Sequence, residues 1–165
     1  MGMTPFGWFH TVISVVAVVA GIIALARDKK ISSHNTVGKI YVVMTILSCL
    51  TGLCIFHHGG FGPGHVLAIV TLLVLGIAGV AGKTQVFGSA SRYVETIGYS
   101  LTFFFHMIPT LTEGSTRLPV GHPLVPGPDA PPLHAAIGIC FVIFLVGAAL
   151  QVWRLRAEGT LARAA

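Results

Sequence analysis

A chain of 165 residues with 54% hydrophobic and only 9% charged side chains has too little charge to cover a soluble domain. A mean hydropathy of +0.86 and long apolar runs assign it to a membrane instead. The formal net charge of +5 is carried at the boundaries of the apolar segments, so no nucleic-acid partner is expected.

A span needs about 20 apolar residues, within a range of about 17 to 25. Five segments are expected to span: 8–26, 37–57, 65–81, 96–111 and 133–153, the third and fourth being short. The expected fold is all-α, a single five-helix transmembrane domain over residues 1–165 with the lipid bilayer as its solvent and no internal repeat. The first segment is not expected to be a cleaved signal, because it lacks a basic leading region and is followed by bases rather than a cleavage site. His10, Ser14, Ala17, Gly21 and Ala24 give it a small and polar face of the kind that lets membrane helices approach closely. On the second segment Ser48, Thr51 and His58 align, while His57 points about 100° away.

The connection HHGGFGPGH, with four glycines and a proline, predicts a tight turn with room for a cofactor edge or a substrate. On the third segment His65 leads toward Gly76, Gly79 and Gly82. On the fourth, Tyr99, Thr102, His106, Thr110 and Glu113 share one helical face. Residues 112–132, rich in proline and glycine, predict an outer loop that lies over the bundle mouth as a lid. Arg117 is that loop's only cation, suited to neutralising Glu113 or Asp129 or to binding an anion such as a haem propionate. His134 opens the fifth segment, one turn before Gly138.

Charge sets the expected topology. Arg27, Lys29, Lys30 and Lys39, then Lys83 and Arg92, then Arg154, Arg156 and Arg163 fall on one side of a five-span chain, and only Arg117 falls on the other. By the positive-inside rule the basic side is cytoplasmic, with the N-terminus outside and the C-terminus inside. The three cysteines, Cys49, Cys54 and Cys140, lie within apolar segments without a CxxC motif and read as small buried hydrophobes.

Of eight histidines, only His34 falls on the basic side. Each of the five segments delivers a histidine near the other face, and His10, His58, His65, His106 and His134 lie on the packing faces, His106 deepest. Polar groups inside a bilayer face a cavity or one another and mark function. Neutral imidazole is the commonest metal ligand, and several convergent ones suit copper, iron or zinc. Glu113, two turns beyond His106, is expected as a ligand, an outer partner of a ligand or a general base. Thr110 or Tyr99 is placed to orient an imidazole. His57 and His122 read as interfacial anchors, and His34 as a cap or lipid contact at the start of the second helix. No HxxxH or HExxH spacing is present, so convergence carries the argument.

The stretch HTVISVVAVVAGIIALARDKKISSHNTVGKIYVVMTI, residues 10–46, resembles the start of a large group of uncharacterised bacterial multi-pass inner-membrane proteins, a domain family of unknown function. The shared features are His10, the basic turn from Arg27 to Lys30, and a His-x-x-x-Gly-Lys/Arg-x-Tyr-Val element at His34, Gly38, Lys39, Tyr41 and Val42. Some of that group are similar to b-type cytochromes, whose haems are held by histidines of facing helices. The resemblance implies a bacterial inner-membrane location, and by analogy one haem b with His10 and His106 as axial ligands. The two-haem pattern of such cytochromes is not met, because His34 stands alone on the basic side.

The leading expectation is a membrane metalloprotein whose histidine-ligated centre near the outer face serves redox chemistry on a quinone, another apolar substrate or a periplasmic partner. The alternatives are a b-type haem electron carrier, with Arg117 on its propionates, and an accessory subunit that packs on partner membrane subunits through its small-residue faces. Metal transport is not expected, since Ser14, Thr45, Ser48 and Thr71 are sparse along any path through the inner half. His106→Ala is expected to abolish metal binding and His57→Ala to leave it nearly intact, as read by elemental analysis of the purified variants.

Overall fold

Inside a bilayer each backbone N–H and C=O must be satisfied within the protein, which leaves helices and closed barrels as the spanning structures. The computed structural model describes residues 4–56 and 60–164, with side chains to residue 160, and among these there are helices and no strand. In chain order they are α1 (Pro5–Asp28), α2 (Thr36–Leu53), α3 (Pro63–Lys83), a 3-10 turn (Gly88–Ala90), α4 (Ser91–Arg117) and α5 (Pro131–Ala164). Four of them, α1, α2, α3 and α5, are long and apolar enough to cross a membrane, and the chain is a membrane protein. The fourth expected span, 96–111, lies inside the more polar α4.

Local chemistry sets the helix ends. The Thr4 hydroxyl accepts from the Gly7 N–H at 3.1 Å and Pro5 occupies the first turn, where its missing N–H costs nothing. Lys29 ends α1 in the left-handed region, φ 59°. The Asn35 side chain accepts from the Gly38 N–H at 2.8 Å to start α2, and its amide donates to Asp28 at 3.0 Å. Arg27 grips the same Asp28 through two hydrogen bonds, both 2.8 Å. The α1–α2 turn is thus tied by polar groups while Ile31 is buried beneath it.

The chain divides into two compact units, Met1–Thr102 and Phe103–Ala165. In the first, α2 packs on α1 and on α3. The buried face of α1 is Ile13, Ala17, Ala20, Gly21 and Ala24; it shares Ala17, Gly21 and Ala24 with the predicted stripe, whose His10 and Ser14 are half-buried. Its large side chains, such as Val12, Val15, Val19 and Ile22, are exposed, as suits a lipid contact. On α3 the buried face is His65, Ala68, Thr71, Leu75, Ala78 and Ala81, so alanines rather than the predicted glycines carry most of the packing. Gly98 allows α4 to approach α3: a Cβ there would stand 2.9 Å from that of Ala78.

In the second unit the aromatic ring of Phe104 packs on those of Phe141 and Phe144, with centroids 5.4 and 5.7 Å away. Residues 118–130 fold back on the helix ends: the Val125 N–H donates to the Ser115 carbonyl at 3.1 Å, and Val125, Ala130 and Leu133 pack with Leu111 and Ile137. Along α5, Ile139, Val142, Ile143, Val146 and Leu150 are exposed.

α4 runs to Arg117, six residues beyond the expected span, although TEGSTR reads as loop. The reason is local satisfaction of the polar groups. Thr112 and Thr116 donate to the carbonyls four residues back, at 2.9 and 2.6 Å, and Glu113 pairs with Arg117 one turn on. α5 likewise continues past residue 153 through a run of good helix formers, and α2 stops at Leu53, short of His57.

Gly38 faces the Ser32 backbone so closely that a Cβ would run into the Ser32 carbonyl, whereas nothing lies within 4 Å of a Cβ on Gly76. Gly38→Ala is expected to cost about 1–3 kcal/mol of stability. Gly76→Ala is expected to change it by no more than about 0.5 kcal/mol. Thermal unfolding in detergent compares the two.

Candidate functional site

His10 lies two turns into α1, where Thr11 and Ser14 spend their own protons on the carbonyls of Gly7 and His10, both at 2.9 Å. Its Nδ1 stands 2.8 Å from Oγ1 of Thr51 on α2. The single Thr51 proton is directed at the Leu47 carbonyl, 2.8 Å away, with the Ser48 carbonyl at 3.1 Å. With the threonine proton on that carbonyl, its oxygen accepts from His10 Nδ1–H and the imidazole lone pair is on Nε2. This is the tautomer of a metal-ligating histidine whose other nitrogen is fixed by an outer partner. Gly52 brings the α2 backbone beside the ring: a Cβ there would touch His10 Cε1 at 3.4 Å.

His65 has the opposite arrangement. It is 7% exposed at the third position of α3, and its Nδ1 accepts the Gly62 N–H at 3.1 Å. Its proton is then on Nε2, which is buried with no hydrogen-bond partner. The ring is stacked against Phe56 and Phe61, with centroids 4.7 and 5.2 Å away. In this state His65 caps α3, and it would have to give up that bond to offer a lone pair elsewhere.

The other expected residues are placed as follows. His106 is 6% exposed in the second unit, and the Thr110 hydroxyl donates to its carbonyl at 2.7 Å, so Thr110 orients the backbone and not the ring. His134 opens α5 and is exposed, as is His122. Glu113 is held by Arg117, both partly exposed, which commits the carboxylate expected as ligand or base and the cation expected for a propionate to each other. His57 and His58 lie outside the described residues. His10 and His65 belong to the first unit, His106 and His134 to the second. Among the described residues no three histidine, cysteine, aspartate or glutamate side chains are grouped to hold a metal ion.

The structure adds a polar group that the sequence reading passed over. Glu95 is 15% exposed at its side chain, lies against Gly82 where a Cβ would meet its carboxylate, and stands 3.7 Å from Nε2 of His34. One turn farther along α4, Tyr99 is buried with its hydroxyl against Gly79, and Thr102 shares a 2.8 Å hydrogen bond with Tyr41 of α2. The signal was present: extending the stripe 99, 102, 106 back by four residues reaches Glu95. The cap of α2 is Asn35, so His34 turns to this carboxylate instead.

Buried polar pairs between membrane helices couple by about 0.6 kcal/mol on average and up to about 1.7 kcal/mol. A double-mutant cycle of His10→Ala with Thr51→Val is expected to give a coupling in that range by unfolding in detergent. A coupling of zero would mean that the bond does not hold His10 in the folded bundle. No protein-family model, no characterised protein and no solved structure matches this chain.

Proposed function

We propose that this chain is a bacterial inner-membrane metalloprotein with a histidine-ligated copper, iron or zinc centre near the outer face. The centre serves redox chemistry on a quinone, another membrane-soluble substrate or a periplasmic partner. Its ligands come from His10, His58, His65, His106 and His134. The single observation that supports the reading most is His10: an imidazole inside a membrane helix, oriented through Nδ1 by a 2.8 Å contact with Thr51. An apolar helix has no packing need for such a group. The proposal includes α4 as a fifth span, with the N-terminus outside and the C-terminus cytoplasmic, on the strength of the basic residues gathered on one side.

A haem b held by His10 and His106 is the second reading. Gly52 beside the His10 ring is a small residue of the kind a porphyrin's neighbours need, and this favours it. Arg117 would then have to leave Glu113 to reach a propionate.

The test is an absorption spectrum and elemental analysis of one detergent-purified sample, expressed with haem and metals supplied. The proposal expects near-stoichiometric copper, iron or zinc without a Soret band, lost in His10→Ala. A Soret band with iron selects the haem. A folded sample with neither overturns both and leaves an accessory subunit that packs on partner membrane subunits.

A further inference from the structure

Tyr41, Thr45, Ser48 and Thr51 follow one another along α2 at steps of four, three and three residues, so they form one face of a membrane-crossing helix. Within the first unit this face meets polar groups of two other helices. At one end, Tyr41 and Thr102 share their 2.8 Å bond in a fully buried setting. Thr102 stands two turns along α4 from Glu95, with Tyr99 between them, and Glu95 faces His34, whose side chain is 66% exposed. In the middle of the file Thr45 is wholly buried beside the Tyr41 hydroxyl, and its own hydroxyl makes no bond of full hydrogen-bond geometry. Beyond it Ser48 and Ser14 pair across α1 and α2 at 2.7 Å, and Thr51 pairs with His10 at 2.8 Å.

Hydroxyls are not needed to pack these helices. Ala17, Ala20, Gly21 and Ala24 already bring α1 against its neighbours by their small size. A buried hydroxyl is costly unless it is fully bonded, and a polar file through a bilayer calls for a functional reason. Read one helix at a time, Ser14, Thr45 and Ser48 are too sparse to make a path. Joined to Tyr41, Thr102 and Glu95 they run from a water-reachable pair at one end of the unit to His10 near the other.

We propose that this file is a proton path through the first unit, so that the protein moves protons along it under a pH or electrical gradient. A proton taken from water at His34 passes to the Glu95 carboxylate. Each hydroxyl beyond accepts a proton on an oxygen lone pair as it releases its own. Toward Glu95, His10 Nε2 takes a proton from water as Nδ1 passes its own to Thr51. Toward His10, the imidazole first exchanges to the Nε2–H tautomer; Nδ1 then takes the proton that Thr51 releases and Nε2 gives its own to water. One proton therefore leaves for each that enters, and the hydroxyls reset by rotating. The chain is chemically symmetric, so the gradient sets the direction. Steps of one helical turn separate side chains by about 5–6 Å at Cβ. A single bridging water covers such a step, and the Thr45 hydroxyl is where that water gains a bond. A file one hydroxyl wide suits a proton, which hops between oxygens, and not a hydrated cation.

The test uses the full chain in phosphatidylcholine–phosphatidylglycerol vesicles that contain potassium and a trapped pH-sensitive dye. Valinomycin lets potassium leave, makes the interior negative and draws protons inward. The expected result is internal acidification faster than in protein-free vesicles, falling to the protein-free rate in Thr45→Val and in Glu95→Gln. Thr45→Val is the decisive variant. It keeps the shape of the side chain and removes only the hydroxyl, and thermal unfolding in detergent matched to the wild type separates a loss of flux from a loss of fold. Wild-type flux no faster than protein-free vesicles overturns the proposal, as does undiminished flux in Thr45→Val. No metal is added, so failure here leaves the metal centre standing, and failure of the metal centre leaves the path standing.

Discussion

A hydroxyl or imidazole inside a membrane helix gains most from a partner within the protein, and the α1, α2 and α4 contacts of the first unit are organised by that constraint. α1 and α2 are joined by two polar pairs, His10 with Thr51 and Ser14 with Ser48, set between small residues that bring the two backbones close. α2 then turns the same face to α4 through Tyr41 and Thr102. The large aliphatic side chains of α1 point the other way, where lipid is their solvent. The usual order of a soluble fold is thus inverted: small and polar inside, large and apolar outside.

That order also decides what each imidazole can do. His10 and His65 both lie on helices of the first unit, yet their protons sit on opposite nitrogens because their partners differ. A threonine whose own proton rests on a carbonyl accepts, and in that arrangement His10 has its lone pair on Nε2. A backbone N–H can only donate, and it fixes His65 with a proton on Nε2. Two histidines that look alike in the sequence are therefore a potential ligand and a helix cap. The metal reading rests on the first of these states and the proton path on the hydroxyl file that ends there, so the same interhelical contact bears on both.

The helical class, the membrane setting and the small-residue face of α1 were legible in the sequence. Composition and a 3.6-residue period determine them without knowledge of any neighbour. Element ends were less legible. TEGSTR reads as loop from its residue types, but each of its hydroxyls and charges finds a partner one turn away on its own helix, and the helix continues. Glu95 was missed because it sits just outside the apolar run that marked the fourth segment, although it continues the same stripe.

An all-helical membrane chain with histidines on polar faces follows from hydropathy and periodicity, which are local properties of a helix. Which of those groups meet is settled by packing: His10 with Thr51, Ser48 with Ser14, Tyr41 with Thr102, His34 with Glu95. Partner choice, and with it the tautomer of each imidazole, depends on the rotation and depth at which helices pack. Those are set by side chains distant in the chain, and no periodicity within one helix encodes them.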